Sequence, residues 1–259
     1  MSNKEITKII LPIPVNLGRM REAEEKIRND SLVYIAANPD VAFQQEILEI
    51  ALNLIYNISY HYTTKDENEK VLQIIGFRLF NTSFAAYKLT LSGYYQASLA
   101  LQRDILEISF LLDYFSFDSC SKIERWRGCK RKERLKEFKP SFICQELDKR
   151  DNFKERKRTK YYWLFCEYAA HLTPKSPKLI SVPGEIIIGP FFYKDHLKNC
   201  LYELAKLVVI STLNYEKLFP NLPEVFIPIR QEFIKKFQEW SNKYLKPLNV
   251  KDLERWLDC

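Results

Sequence analysis

The chain has 259 residues, 46% of them apolar and 14% aromatic, with only six glycines, a balance that supplies a large core but few tight hairpins and argues against an all-β fold. Its net charge of +7 favours anionic over cationic partners. The six cysteines show no C-x-x-C spacing and no secretory segment precedes them, which reads as reduced thiols in a soluble, cytoplasmic protein and not as a disulfide framework.

The lead "MSNKEITKIILPIPVNLG" has one short apolar run ended by two prolines, too short for a signal sequence or a membrane span. "LGRMREAEEKIRND" reads as a polar helix, and Pro39 with Asp40 opens a second, "VAFQQEILEIALNLIYNISYHYT", with apolar residues at three and four spacing. "TTKDENEK" is the next turn and helix cap. "VLQIIGFRLFNTSFAAYKLTL" then runs to an αα-turn at Ser92 and Gly93. Its antiparallel partner contains "SLALQRDILEISFLLDYF". From Ser116 the pattern turns basic and weakly amphipathic, Pro140 restarts a helix through "SFICQELDKRD", and "NFKERKRTKYYWLFCEYAAH" ends at His171 because "LTPKSP" cannot continue it. The only strand signal is "KLISVPGEIIIGPFF", a small hairpin or extended flap near 178–189. One long helix, "YKDHLKNCLYELAKLVVISTLNYEKLF", follows, and two more come after Pro220 and Pro223, the last being "VKDLERWL". The expected fold is therefore an all-α multi-helix bundle forming one domain over 1–259, with a lead and polar helix over 1–38, a bundle core over 40–217 and C-terminal helices over 222–259.

The stretch "SLALQRDILEISFLLDYF" carries charge inside an apolar helix. At 100° per residue Leu101, Ile105, Ile108 and Leu112 make one face and Leu99, Leu106 and Leu111 flank the other side. Between them runs a stripe of Gln96, Arg103, Glu107, Phe110 and Tyr114, so Arg103 and Glu107 are at least partly buried and must pair with each other or with a third group. Arginine before glutamate is the weaker order on a helix surface, which points to a tertiary partner. Asp104 lies about 100° away and caps or pairs elsewhere. Arg78, Asn81 and Lys88 on the preceding helix, and Tyr161, Tyr168 and His171 further on, are the polar side chains of otherwise packed segments. A shared cleft would bring Arg103, Glu107 and His171 together beside Tyr168, and a buried network that fixes helix register is the alternative.

The charge is uneven. Residues 122–160 hold sixteen Lys or Arg against seven Asp or Glu, a net of +9, so all the excess positive charge sits in thirty-nine residues, with Trp126, Phe138, Phe142 and Phe153 interleaved. Such a composition can neutralise phosphates and stack on bases, with Lys130, Arg131, Lys132, Arg134, Arg156 and Arg158 as the contacts and Tyr168 as a further binding residue. The alternative is a solvated helical surface that keeps the chain soluble. Glycine-rich phosphate loops and G-x-S-x-G are absent, and His61, His171 and His196 are too scattered for most metal sites. Glu167 and His171 lie four apart beside Cys166, a spacing that more often orients a side chain than binds a metal, so neither metal nor cofactor is expected. His196 reads as a capping-region or surface histidine and His61 as a helix-end residue.

"SGYYQASLALQRDILE", then "YYWLFCEYAAH" and "IGP", resemble uncharacterised bacterial all-helical proteins loosely grouped with the HEPN-like superfamily, over about residues 70 to 200. The resemblance implies a helical fold and a setting among nucleotide-binding, toxin and phage-defence proteins. Ribonucleases of that superfamily carry an arginine followed, after four to six residues, by a catalytic histidine. Here the arginine nearest before His171 is Arg158, with twelve residues between, and neither His61 nor His196 does better, so no catalytic residue carries over by motif. Two readings result. One is a non-catalytic helical binding protein, a sensor or antitoxin-like component, holding RNA, single-stranded DNA or a protein partner, with a homodimer as its assembly and no membrane. The other is a metal-independent RNA-directed enzyme with His171 as general acid or base, Glu167 or Glu107 orienting it, and Arg103 stabilising phosphate charge.

Overall fold

The computed structural model describes residues 13–153 and 155–245 and is all-α apart from one two-stranded hairpin. The lead before Ile13, the "VKDLERWL" segment and Cys259 lie outside the described residues. Four long helices form the centre: α2 (Pro39–His61), α3 (Glu67–Leu91), α4 (Tyr95–Phe115) and α9 (Lys194–Glu216). They pack pairwise, α2 on α3 and α9, α4 on α3 and α9. α1 (Ile13–Ala37) and α10 (Ile227–Tyr244) cover α2. Four shorter helices make a second layer: α5 (Ser119–Gly128), α6 (Arg131–Glu137), α7 (Pro140–Arg150) and α8 (Lys157–Phe165). α7 and α8 lie directly on α4.

Local chemistry sets the boundaries. Pro39 and Pro140 occupy first turns, where a missing N–H costs nothing. Asp66 accepts from the Glu69 N–H at 2.8 Å and so caps α3. Gly93, with φ +78, makes the αα-turn, where a Cβ would lie 2.2 Å from the Phe191 carbonyl oxygen. Gly76 matters for a different reason. A Cβ there would stand 2.2 Å from both Ser59 Oγ and the Tyr215 hydroxyl, which hydrogen-bond each other at 3.0 Å, so α2, α3 and α9 cross closely only because this position has no side chain.

The expected helix over "NFKERKRTKYYWLFCEYAAH" is shorter and less regular. Asn152 (φ 54) and Arg156 (φ 51) are left-handed, and the Phe153 N–H closes α7 onto the Asp148 carbonyl at 2.8 Å, an asparagine-type helix end. α8 therefore starts at Lys157. At its far end Cys166–Ala170 widens into a π-helical turn. α1 continues past Asp30 to Ala37, because Ser31 and Ile35 are buried.

The hairpin pairs β1 (Ser181–Val182) with β2 (Glu185–Ile186) antiparallel, Ser181 opposite Ile186, and follows a 3₁₀ turn over Ser176–Ile180. It is anchored by His196, which is buried and not the surface or capping residue expected from sequence. His196 Nε2 lies 3.0 Å from the Ser181 carbonyl oxygen and its ring meets Tyr95, Phe191 and Tyr193 edge-on. The histidine is inside because the flap folds over the start of α9. Burial holds its imidazole below the usual histidine range, against the opposing pull of the Ser181 and Lys178 carbonyls.

Gly76→Ala is expected to cost about 1–3 kcal/mol of stability through overpacking at the three-helix crossing, read as a lower urea midpoint with an unchanged m-value. His196 contributes stability in full above its unfolded-state pKa of about 6.5, and loses it as pH falls through the depressed folded-state value, because the unfolded chain then binds the extra proton. The urea midpoint should drop between about pH 7.5 and pH 5.5 more steeply for the native chain than for His196→Gln.

Candidate nucleic-acid interface

The charged residues of α4 all find partners on other helices. Arg103 Nη2 donates to Glu107 Oε1 at 2.5 Å, Arg103 Nε donates to the Tyr162 hydroxyl at 3.3 Å, and that hydroxyl donates to Glu107 Oε1 at 2.7 Å. The arginine and glutamate side chains are 30% and 27% exposed, so the group is partly buried and internally satisfied. Burial, then the Glu107 hydrogen bond, pushes the Tyr162 phenol well above its ordinary value. The Cys166 thiol beside them is also pushed up by burial, which leaves it protonated and unreactive at neutral pH. Asp104 takes a bidentate pair from Arg78 at 3.1 and 2.5 Å, and Asp113 takes one from Arg150 at 2.8 and 3.0 Å. Further up the stripe, Gln96 Nε2 donates to the Ala169 carbonyl at 2.5 Å.

His171 stands apart from this group. It is exposed, and its backbone N–H bonds the Cys166 carbonyl at 2.8 Å, the five-residue spacing of the π turn. That wider turn shifts the register after Cys166, so a regular helical wheel misplaces His171. The third partner of Arg103 and Glu107 is Tyr162. Tyr168 is fully buried, with Lys175 Nζ 5.3 Å from its ring centre, and Glu167 pairs with Lys175 at 3.2 Å. Among the described residues, no three His, Cys, Asp or Glu side chains converge as a metal site.

The basic segment divides into cations that hold the fold and cations that face water. Arg125 clamps Glu137 at 2.8 and 2.6 Å, tying α5 to α6. Arg127 reaches Glu67 of α3 at 3.9 Å. Arg158, counted among the binding residues by sequence, is mostly buried, bonds Asp148 at 3.1 Å and Asp151, and lies over Phe153. It is a strut between α7 and α8. Lys122 sits 3.8 Å from the centre of the Tyr114 ring. By contrast Lys130, Arg131, Lys132 and Arg134 are exposed, and none makes an ion pair among the described residues.

A shallow groove of about 290 Å³ lies on the outer face of α8, bordered by Glu155, Arg156, Thr159, Lys160, Trp163 and Glu167. Trp163 presents its indole to solvent at 55% exposure. Arg156 is held at the groove edge by its left-handed backbone, a conformation costly for a bulky residue. Lys160 closes the basic segment 122–160, whereas Trp163 lies just beyond it, with a signal of its own in the sequence. Three consecutive aromatics in "YYWLF" cannot all face inward on one helix, and Tyr161, Leu164 and Phe165 take the interior.

No family model, curated protein or solved structure matches the chain, so the HEPN-like resemblance rests on its short motifs alone. No helix among the described residues is long and apolar enough to cross a membrane.

Because the Arg103 group is only partly buried, Arg103→Met is expected to cost about 1–2 kcal/mol, typical of a charged hydrogen bond and below the 3–5 kcal/mol of a fully enclosed pair. Replacing all three partners together (Arg103→Met, Glu107→Leu, Tyr162→Phe) should come within about 1 kcal/mol of the native chain, since no polar atom is then stranded. Chemical denaturation of the two variants provides the comparison.

Proposed function

We propose that the protein is a non-catalytic helical binding protein that holds single-stranded RNA or DNA on its basic second layer. The observation that carries this reading is the groove on α8, where an exposed indole, Trp163, lies with Arg156 and Lys160 in one concave surface. An aromatic face beside cations is the chemistry that takes an unstacked base and its phosphate together. Single strands fit it better than duplex, whose bases are not free to stack on protein. Lys130, Arg131, Lys132 and Arg134 on and beside α6 add exposed positive charge with no ion-pair partner among the described residues, and such charge binds phosphate by releasing counterions.

A binding role is favoured over an enzymatic one by the arrangement of the residues sequence nominated for catalysis. Arg103 and Glu107 spend their hydrogen bonds on each other and on Tyr162, while His171 lies at the exposed end of the π turn. A general acid or base works within hydrogen-bond reach of the groups it serves, and these three do not share such a group.

Fluorescence anisotropy with labelled oligo-U and oligo-dT should show weak binding whose log affinity falls with log salt by about 0.7 per phosphate contact. Reversing charge at Lys130, Arg131, Lys132 and Arg134 should weaken binding and flatten that slope by about 2–3. Trp163→Ala should cost about 1–3 kcal/mol at every salt concentration and leave the slope in place, because it removes stacking and no charge. Binding indifferent to both sets of substitutions would remove this surface from consideration.

A further inference from the structure

The outer face of α2 and α3 is strongly aromatic and has no cover among the described residues. Tyr56 and Tyr60 of α2 stack at 5.4 Å, His61 stands edge-on to Tyr60 at 5.0 Å, Tyr56 meets Phe80 of α3 at 5.5 Å, and Phe80 lies parallel to Phe84 at 6.1 Å. Ile74 and Phe77 extend the patch. Tyr56, Tyr60, Ile74, Phe77 and Phe84 are between 41% and 65% exposed, whereas a folded monomer rarely leaves so many large apolar groups side by side in water.

We infer that this face pairs with the same face of a second copy of the chain, through an antiparallel contact of α3 with its symmetry mate. Three observations select that occupant. The exposed stripe of α3 is Lys70, Ile74, Phe77, Asn81, Phe84 and Lys88, with alternating spacings of four and three, the repeat by which one helix seats against another. Asn81 has a phenylalanine on each side of it, Phe77 four residues before and Phe84 three residues after. Antiparallel pairing therefore sets Phe77 against Phe84 of the mate and brings the two Asn81 amides near the twofold axis, as an isologous interface requires. Asn81 makes no hydrogen bond within its own chain among the described residues, and two such amides can bond each other and fix the register.

The area is adequate. Four aromatic side chains of about 150–250 Å² each, together with Ile74, all roughly half exposed, offer roughly 500 Å² per copy, or roughly 1,000 Å² for the pair before flanking polar residues are added, the size at which specific interfaces begin.

The experiment is sedimentation velocity of the full chain, with no added ligand. A concentration-dependent dimer is expected, and Phe77→Lys with Phe84→Lys should raise its dissociation constant at least about tenfold. Helical circular dichroism should stay the same, because both side chains face water in the single chain. Asn81→Cys, in a chain with Cys120→Ser and Cys259→Ser, should form a disulfide-linked dimer on mild oxidation, and Lys132→Cys in the same background should not. A chain monomeric up to about 100 µM overturns the inference and leaves the face to a different protein. A dimer indifferent to the lysine pair, or one that Asn81→Cys cannot link, overturns it too.

Discussion

A helix that is apolar nearly all round cannot lie on a surface, and α4 is such a helix. Leu99, Ile105, Leu106 and Leu112 are buried, with α3 and α9 on one side and α7, α8 and the π turn on the other. Any polar side chain on it must then find a partner on another helix or lose its hydration without return, at about 1–3 kcal/mol for each group left unmatched. Gln96, Arg103, Asp104, Glu107 and Asp113 all obey that rule, reaching in turn the π turn, α8, α3, α8 and α7. The second layer is seated by these contacts as much as by apolar packing. Gln102, on the opposite side, donates to the Cys200 carbonyl of α9 at 3.2 Å, while its own Oε1 is buried without a hydrogen-bond partner among the described residues.

This seating sorts the positive charge of the second layer. Arg125, Arg150 and Arg158 are spent on carboxylates between helices, where planar guanidinium groups make two hydrogen bonds at once. What faces water is mostly lysine, together with Arg131, Arg134 and Arg156. A segment whose total charge suggests one continuous basic surface is thus two populations with different duties. The left-handed residues at each end of the α7–α8 connection finish the arrangement, because Asn152 closes α7 and Arg156 opens α8 at the edge of the groove.

The aromatic face of α2 and α3 and the groove of α8 belong to different layers, joined through α4. Pairing of two copies through the first face would leave both grooves of the dimer open. Two weak single-strand sites carried on one particle bind a strand long enough to span them far more tightly than either alone, with no new contact. The two proposals stand on separate residues, so each can be tested with the other surface intact.

Sequence by itself determined the helical class, most helix boundaries, the αα-turn at Gly93, the hairpin near Pro183 and the need for partners at Arg103 and Glu107. These are local matters, set by the 3.6-residue period, by prolines and glycines that admit few backbone conformations, and by the cost of unpaired charge. Which partner each charge takes was decided only in three dimensions. Tyr162 and not His171 completes the Arg103 group because a π turn changes the register beyond Cys166, and nothing in the local pattern announces that turn. Arg158 becomes a strut, and His196 an anchor under the flap, because segments distant in sequence close over them. Burial and pairing are properties of the assembled surface, so a count of lysines and arginines finds the basic layer, and only the fold separates the cations that brace it from those that face water.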